Sequence, residues 1–218
     1  MTGDVKDSKR QDERSGFQEN KRLDKQFDFL REIDKEKEIV RRTYLTDGTR
    51  CEDDAEHAWH LAMMVMMLSE YANEKIDRYH TMSMVLIHDL IEIYAGDTYA
   101  YDIEGNKTKR ERELKAADRL FTILPEDQAN EMRLLWDEFE SDETAEAHFA
   151  NMCDKVQPVM LTDANGGKSW KGNGVFADWL YKRNERSHEG SEKIWEYIDD
   201  NMIKPAIDKG WLKKDDEK

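Results

Sequence analysis

Helical periodicity runs through almost the whole chain, and only 3 of the 218 residues are proline. From about residue 27 onward, apolar side chains recur every three to four positions, with charged residues between them. No run alternates with the period of two that a half-buried strand needs. Few prolines and 11 glycines argue against an all-β protein full of turns. The expected fold is all-α, a helical bundle of one ordinary domain.

The order along the chain can be set out. Residues 1–22 hold few large apolar groups and are expected to form a disordered tail. The domain is expected over 23–212, with a short charged tail at 213–218. Phe27, Leu30, Ile33, Ile39 and Val40 fit a first amphipathic helix, and Asp47-Gly48 signals a turn after it. A second helix starts at Asp53 or Asp54, because Asp53 followed by Glu56 has the spacing of a capping box. Its Met63, Met64, Met66 and Met67 read as core packing. A third spans Arg78 to Tyr94 and stops at Gly96. Further helices are expected over Lys107–Leu124, Glu126–Glu140, Thr144–Leu161 and Glu192–Ile203, with Pro158 as a kink or stop. Asp163 to Asn173, rich in Gly and Asn, reads as a loop.

Charge narrows the function. With 34 basic and 49 acidic residues, the net charge is −15. A general binder of nucleic-acid polymers needs clustered Lys and Arg, so that class is excluded. No segment has the run of apolar residues a membrane span requires. Two cysteines cannot build a disulfide framework and point to a reducing compartment, the cytoplasm.

The informative segment is MSMVLIHDLIEIYAGD, Met82 to Asp97. His88 and Asp89 interrupt an otherwise apolar helix. A buried carboxylate without a partner costs several kcal/mol, so it must be paired or hold a cation. Glu92 projects from the same side as His88 and Asp89, one turn on. His57 stands at the start of the methionine-rich helix, and Asp154 lies among Phe149, Met152, Cys153 and Val156. Each signal alone is weak. Together they place two His and two Asp on three helices that a bundle can bring together.

In order and spacing, His57, His88-Asp89 and Asp154 resemble the H…HD…D signature of the HD-domain metal-dependent phosphohydrolases. His88-Asp89-Leu90-Ile91-Glu92 followed by Gly96-Asp97 is similar to the 5′-deoxynucleotidase branch. The resemblance implies a helical bundle with a metal site in its core. It implies one divalent ion (Co, Mn, Zn, Ni, Fe or Mg) held by His57, His88, Asp89 and Asp154. Glu92 and Asp97 match the branch's acid/base and water-orienting carboxylates, without a division of labour between them. Arg42, fifteen residues before His57, matches its substrate-binding Arg, whose guanidinium suits a phosphate. The implied substrate is a small-molecule phosphomonoester, foremost a (deoxy)nucleoside 5′-monophosphate, and a homodimer is implied as well. The branch has Trp directly after that Arg, whereas this chain has Thr43-Tyr44, with Tyr44 as the candidate replacement for stacking. Two other readings compete. A di-iron oxygenase on the same fold needs further ligands, for which His60 and His80 are the nearby candidates. An inactive helical interaction module predicts gaps in the constellation, and none is seen.

Overall fold

The computed structural model describes residues 4–214, and their side chains from residue 18 onward apart from Ile103. It is a helical bundle of twelve α-helices among the described residues. In chain order they are α1 Asp4–Ile33, α2 Asp54–Leu68, α3 Arg78–Ile87, α4 Glu92–Ala95, α5 Ile103–Phe121 and α6 Glu126–Ser141. There follow α7 Ala145–Ala164, α8 Lys168–Asn173, α9 Ala177–Arg183, α10 Ser187–Gly190, α11 Glu192–Ile198 and α12 Lys204–Asp208.

The boundaries follow local chemistry. Asp53 caps α2 as expected: its carboxylate accepts from the Glu56 N–H, and the Glu56 side chain reaches back to the Asp53 N–H. Thr144 and Asp77 cap α7 and α3 with the side-chain oxygen alone, accepting from the Ala147 N–H and from the Tyr79 and His80 N–H groups. Pro158 does not stop α7, which continues through it to Ala164.

Several expectations are corrected. Of the disordered tail expected over 1–22, residues 1–3 lie outside the described residues, and the backbone from Asp4 onward runs as α1. Lys, Arg, Glu and Gln are good helix formers, and Arg22 ties the helix down through two 2.8 Å hydrogen bonds to Asp127. Of the expected tail at 213–218, residues 215–218 lie outside the described residues, and Lys213 pairs with Phe176. α1 ends at Ile33, so Ile39 and Val40 are not on it. Phe29 is the buried residue of its last turns, while Phe27 and Leu30 are exposed.

A two-stranded antiparallel hairpin, β1 Val40–Tyr44 and β2 Cys51–Asp53, stands where no strand was expected. Its residues carry so much charge that the period of two does not show as apolar alternation. Residues Lys168–Asn173 are helical rather than loop. The 192–203 segment passes from α11 into a π turn at Asp199–Ile203. The methionines of α2 are split. Met64 packs inside, but Met63, Met66 and Met67 join Trp59 in an exposed stripe. Their spacing puts them on the face that α3 and α7 do not cover.

The interior is two apolar clusters. One joins α2, α3, α7 and the C-terminal helices through Leu61, Val65, Met84, Phe149, Met152, Val156 and Ile203. The other joins the end of α3 to α5 and α6 through Ile87, Ile91, Ala117, Leu120 and Trp136, with Phe29 of α1. The turn at His88–Ile91 lies where the clusters meet.

α10 packs directly on α7 at Gly190. A Cβ there would lie 2.5 Å from the His148 carbonyl oxygen and 2.8 Å from Met152 Cβ. Gly190→Ala therefore has to push two helices apart. Overpacking of this kind costs about 1–3 kcal/mol, and urea unfolding of the variant is expected to show that loss.

Candidate metal centre

The helix expected over 78–94 is broken at the chemistry. α3 stops at Ile87, and the chain tightens into i→i+3 hydrogen bonds: Leu90 N–H to Ile87, Glu92 N–H to Asp89 at 2.8 Å, and Tyr94 N–H to Ile91. In such a tightened turn residues three apart eclipse one another, so Asp89 and Glu92 come to one edge. α4 then ends at Gly96, whose φ of +76° frees the chain to turn away with Asp97.

Three elements converge here. From α2, fully buried His57 brings Nε2 to 3.1 Å from Asp154 Oδ1 of α7. His88 Nε2 lies 3.0 Å from Asp89 Oδ2 and 3.9 Å from the same Asp154 oxygen. His57, His88 and Asp154 each offer an atom within 4.8 Å of the others, a spacing that can hold a metal ion. Asp89 borders the group through His88.

The donor set fits a divalent cation. His88 Nδ1 donates to the Val85 carbonyl at 2.9 Å, so the buried Nε2 is the ring atom turned toward Asp89 and Asp154, and it makes no well-aligned hydrogen bond there. Glu52, 1% exposed, faces His57 Nδ1 from behind at 3.6 Å and accepts from Gln157 at 2.8 Å. Imidazole nitrogens with carboxylate oxygens suit first-row metals. The two histidines considered as further ligands for a di-iron centre are engaged elsewhere. His60 is bonded to Gln157 and His80 to Glu138.

The charges around the site set its proton affinities. Burial pulls the His88 imidazole down, but Asp89 and Asp154 outweigh it and hold the group well above its ordinary value. Burial pushes Asp154 up, and His57 and His88 more than reverse it, so its carboxyl lies well below the usual range. Glu92 goes the other way. Burial, then the charges of Asp89 and Asp54, push it up to about 10, and its Oε2 has no partner.

A cavity of about 340 Å³ opens on this group. His88, Asp89, Glu92, Asp97, Arg42 and Asp154 all line it, so six of the seven expected site residues share one space. His57 sits behind its wall. Arg42 lies over the Tyr99 ring, 4.5 Å from its centroid. Tyr44, expected to supply stacking, is instead covered by Lys168 at 4.1 Å. Tyr99 and Tyr101 line the cavity in its place.

Sequence reasoning missed Arg41. Its Nη1 donates to Asp89 Oδ2 at 2.8 Å and to Asp54 Oδ1 at 2.9 Å. Both Arg41 and Arg42 of β1 line the cavity, Arg41 at its acidic floor and Arg42 on Tyr99, and no motif marks the first of them. Arg183, at the end of α9, and Lys109 of α5 also reach the cavity from segments that carry no motif.

The fold and the site together define a helical bundle built around a histidine and aspartate group able to hold a metal ion. The sequence profile of the HD domain matches residues 33–195, and the chain belongs to that family. A solved structure described as a predicted metal-dependent phosphohydrolase from Magnetospirillum magnetotacticum is 44% identical. It superposes with a TM-score of 0.83 over 88% of this chain and 95% of that one. An HD-domain phosphohydrolase from Listeria innocua, at 16% identity and TM-score 0.54, shares the fold. The human 5′-deoxynucleotidase HDDC2 is 27% identical over 133 residues, 61% of this chain. The match spans 64% of the human protein, a little under two thirds of its length. No helix among the described residues is long and apolar enough to cross a membrane.

Proposed function

We propose that this chain is a metal-dependent phosphohydrolase that cleaves a phosphomonoester, foremost a (deoxy)nucleoside 5′-monophosphate. The observation that carries the reading is the grouping of His57, His88 and Asp154, with Asp89 beside them, at a cavity lined by Asp89, Glu92, Asp97 and Arg42. His57, His88, Asp89 and Asp154 would hold one divalent ion. When bound, that ion supplies Lewis acidity toward a phosphate oxygen and lowers the pKa of a bound water.

The chain's own residues do the rest. Arg42 holds the phosphoryl group and orients it. Glu92 and Asp97 share the movement of protons: one takes a proton from the attacking water, and one gives a proton to the leaving alkoxide as the P–O bond breaks. Arg41, neutralised by Asp54 and Asp89, orients the Asp89 carboxylate and takes no part in binding phosphate. Tyr99 and Tyr101 offer ring surface for a planar group such as a base. They supply by another segment what Thr43 and Tyr44 do not. A cytoplasmic homodimer belongs to the same reading, and the exposed Trp59–Met67 stripe of α2 provides apolar surface for it.

Metal-reconstituted protein screened against a panel of phosphomonoesters tests the proposal. Release of phosphate from nucleoside 5′-monophosphates is expected, and no release from any member would overturn it. On the best substrate, Arg42→Lys is expected to lower kcat/KM about ten- to a hundred-fold with metal content unchanged, since a point charge replaces a planar fork. Unchanged kcat/KM in both Arg42→Lys and Arg42→Ala would return Arg42 to a stacking role on Tyr99.

A further inference from the structure

Five cationic side chains line the cavity: Arg41, Arg42, Lys109, Lys155 and Arg183. Two of them are matched to carboxylates that lie outside the expected ligand set: Arg41 bonds Asp54 as well as Asp89, and Lys109 pairs with Glu113 at 3.2 Å. Lys155 faces Asp142 Oδ2 only at 3.9 Å, an oxygen already held by Arg186 at 2.7 Å, but it is an ammonium and offers no planar fork. Arg42 has no ion pair among the described residues and lies on Tyr99. Among the described residues Arg183 has one ion-pair partner, Asp154 Oδ2, at 3.6 Å, beyond hydrogen-bonding distance. The other oxygen of that carboxylate faces His57 and His88, so its charge is already claimed by the expected metal group.

Two under-matched guanidiniums on one cavity are unusual in a chain of net charge −15, where carboxylates are in surplus. Both line the cavity on the side of Tyr99: Arg42 lies on that ring, and a run of rings, Tyr99 to Tyr101 at 5.3 Å and Tyr101 to Trp179 at 5.8 Å, leads from it to the helix that carries Arg183. Arg183 is held in place by its helix. It is the last residue of α9, Leu180 is buried beneath it, and buried Asn184 closes the helix end by donating to the Leu180 carbonyl at 2.9 Å. The guanidinium is thus presented at the mouth of the site with donors to spare. Anions with three acceptor oxygens match such a pair of planar forks.

We propose that Arg183 is the second arm of a guanidinium clamp that, with Arg42, holds the substrate's phosphoryl group beside Tyr99. The inference rests on the phosphomonoester reading above and adds a residue to it. Arg183 lies outside the H…HD…D constellation, so the motif does not assign it.

The test is binding of inorganic phosphate to the full chain loaded with manganese, followed by calorimetry, with metal content and melting temperature measured alongside. Arg183→Ala is expected to weaken phosphate binding about ten- to a hundred-fold, and Arg183→Lys by less, with manganese content and melting temperature as in the unsubstituted protein. KM for the best phosphomonoester is expected to rise in parallel. Phosphate affinity unchanged in both variants, while the unsubstituted protein binds phosphate and turns over substrate, would overturn the clamp and leave the phosphomonoester reading standing. A loss of phosphate binding that tracks a loss of manganese would also overturn it, making Arg183 a support for Asp154 alone. An unsubstituted protein that neither binds phosphate nor hydrolyses any phosphomonoester would sink both.

Discussion

Asp89→Ala is expected to abolish metal binding and hydrolysis together. The carboxylate stands 3.0 Å from His88 Nε2 and accepts from Arg41 at 2.8 Å. Its loss removes one of the four proposed ligands and one of the carboxylates, with Asp54 and Glu52, that neutralise the largely buried Arg41 guanidinium. Breaking a buried pair by removing one partner typically costs about 3–5 kcal/mol, so the melting temperature is expected to fall as well. Asp89→Asn separates the two effects, because it keeps the volume and a hydrogen-bond acceptor but not the charge. Metal analysis of both variants beside circular dichroism decides the matter. Retention of metal at the unsubstituted stoichiometry and affinity would remove Asp89 from the ligand set.

Glu92→Gln is expected to leave the metal in place and to lose most turnover. Glu92 is 7% exposed, shares an edge with Asp89 through the tightened turn, and lines the cavity. Burial and neighbouring negative charge hold its carboxyl up at about 10, so it is a group able to keep a proton to donate. Glutamine fills the same space in α4 and can neither take nor give that proton. General acid–base groups contribute about 10²–10⁴-fold, and a drop of that size in kcat with unchanged metal content is expected. A kcat near that of the unsubstituted protein would take Glu92 out of the mechanism and leave Asp97 to carry both proton transfers.

Much of the site could be read from residue types and spacing. A carboxylate amid apolar residues, as at Asp89 and Asp154, has few explanations other than a partner or a cation. The capping box at Asp53 is a local motif and appears as spaced. What could not be read was set by contacts distant in sequence. Whether Met63, Met66 and Met67 are covered depends on which helices pack against α2, and the apolar periodicity of α2 alone does not contain that. The break at His88 replaces ordinary helical bonds with i→i+3 bonds in a segment whose composition is compatible with both. β1 is short and charged, so neither the strand nor the place of Arg41 beside Asp89 showed as apolar alternation. Arg183 and Tyr99 reach the cavity only because α9 and the loop after Gly96 fold back over it.

Pro158 has a mechanical consequence. It lies inside α7, four residues after Asp154, and a proline has no N–H to give to the carbonyl four residues earlier. The residue whose carboxylate faces both histidines is therefore the one whose peptide oxygen the helix leaves unclaimed. The turn of α7 that carries Asp154 is thus held by one backbone hydrogen bond fewer than its neighbours, and it is the packing of Phe149, Met152 and Val159 in the core that fixes where the carboxylate stands.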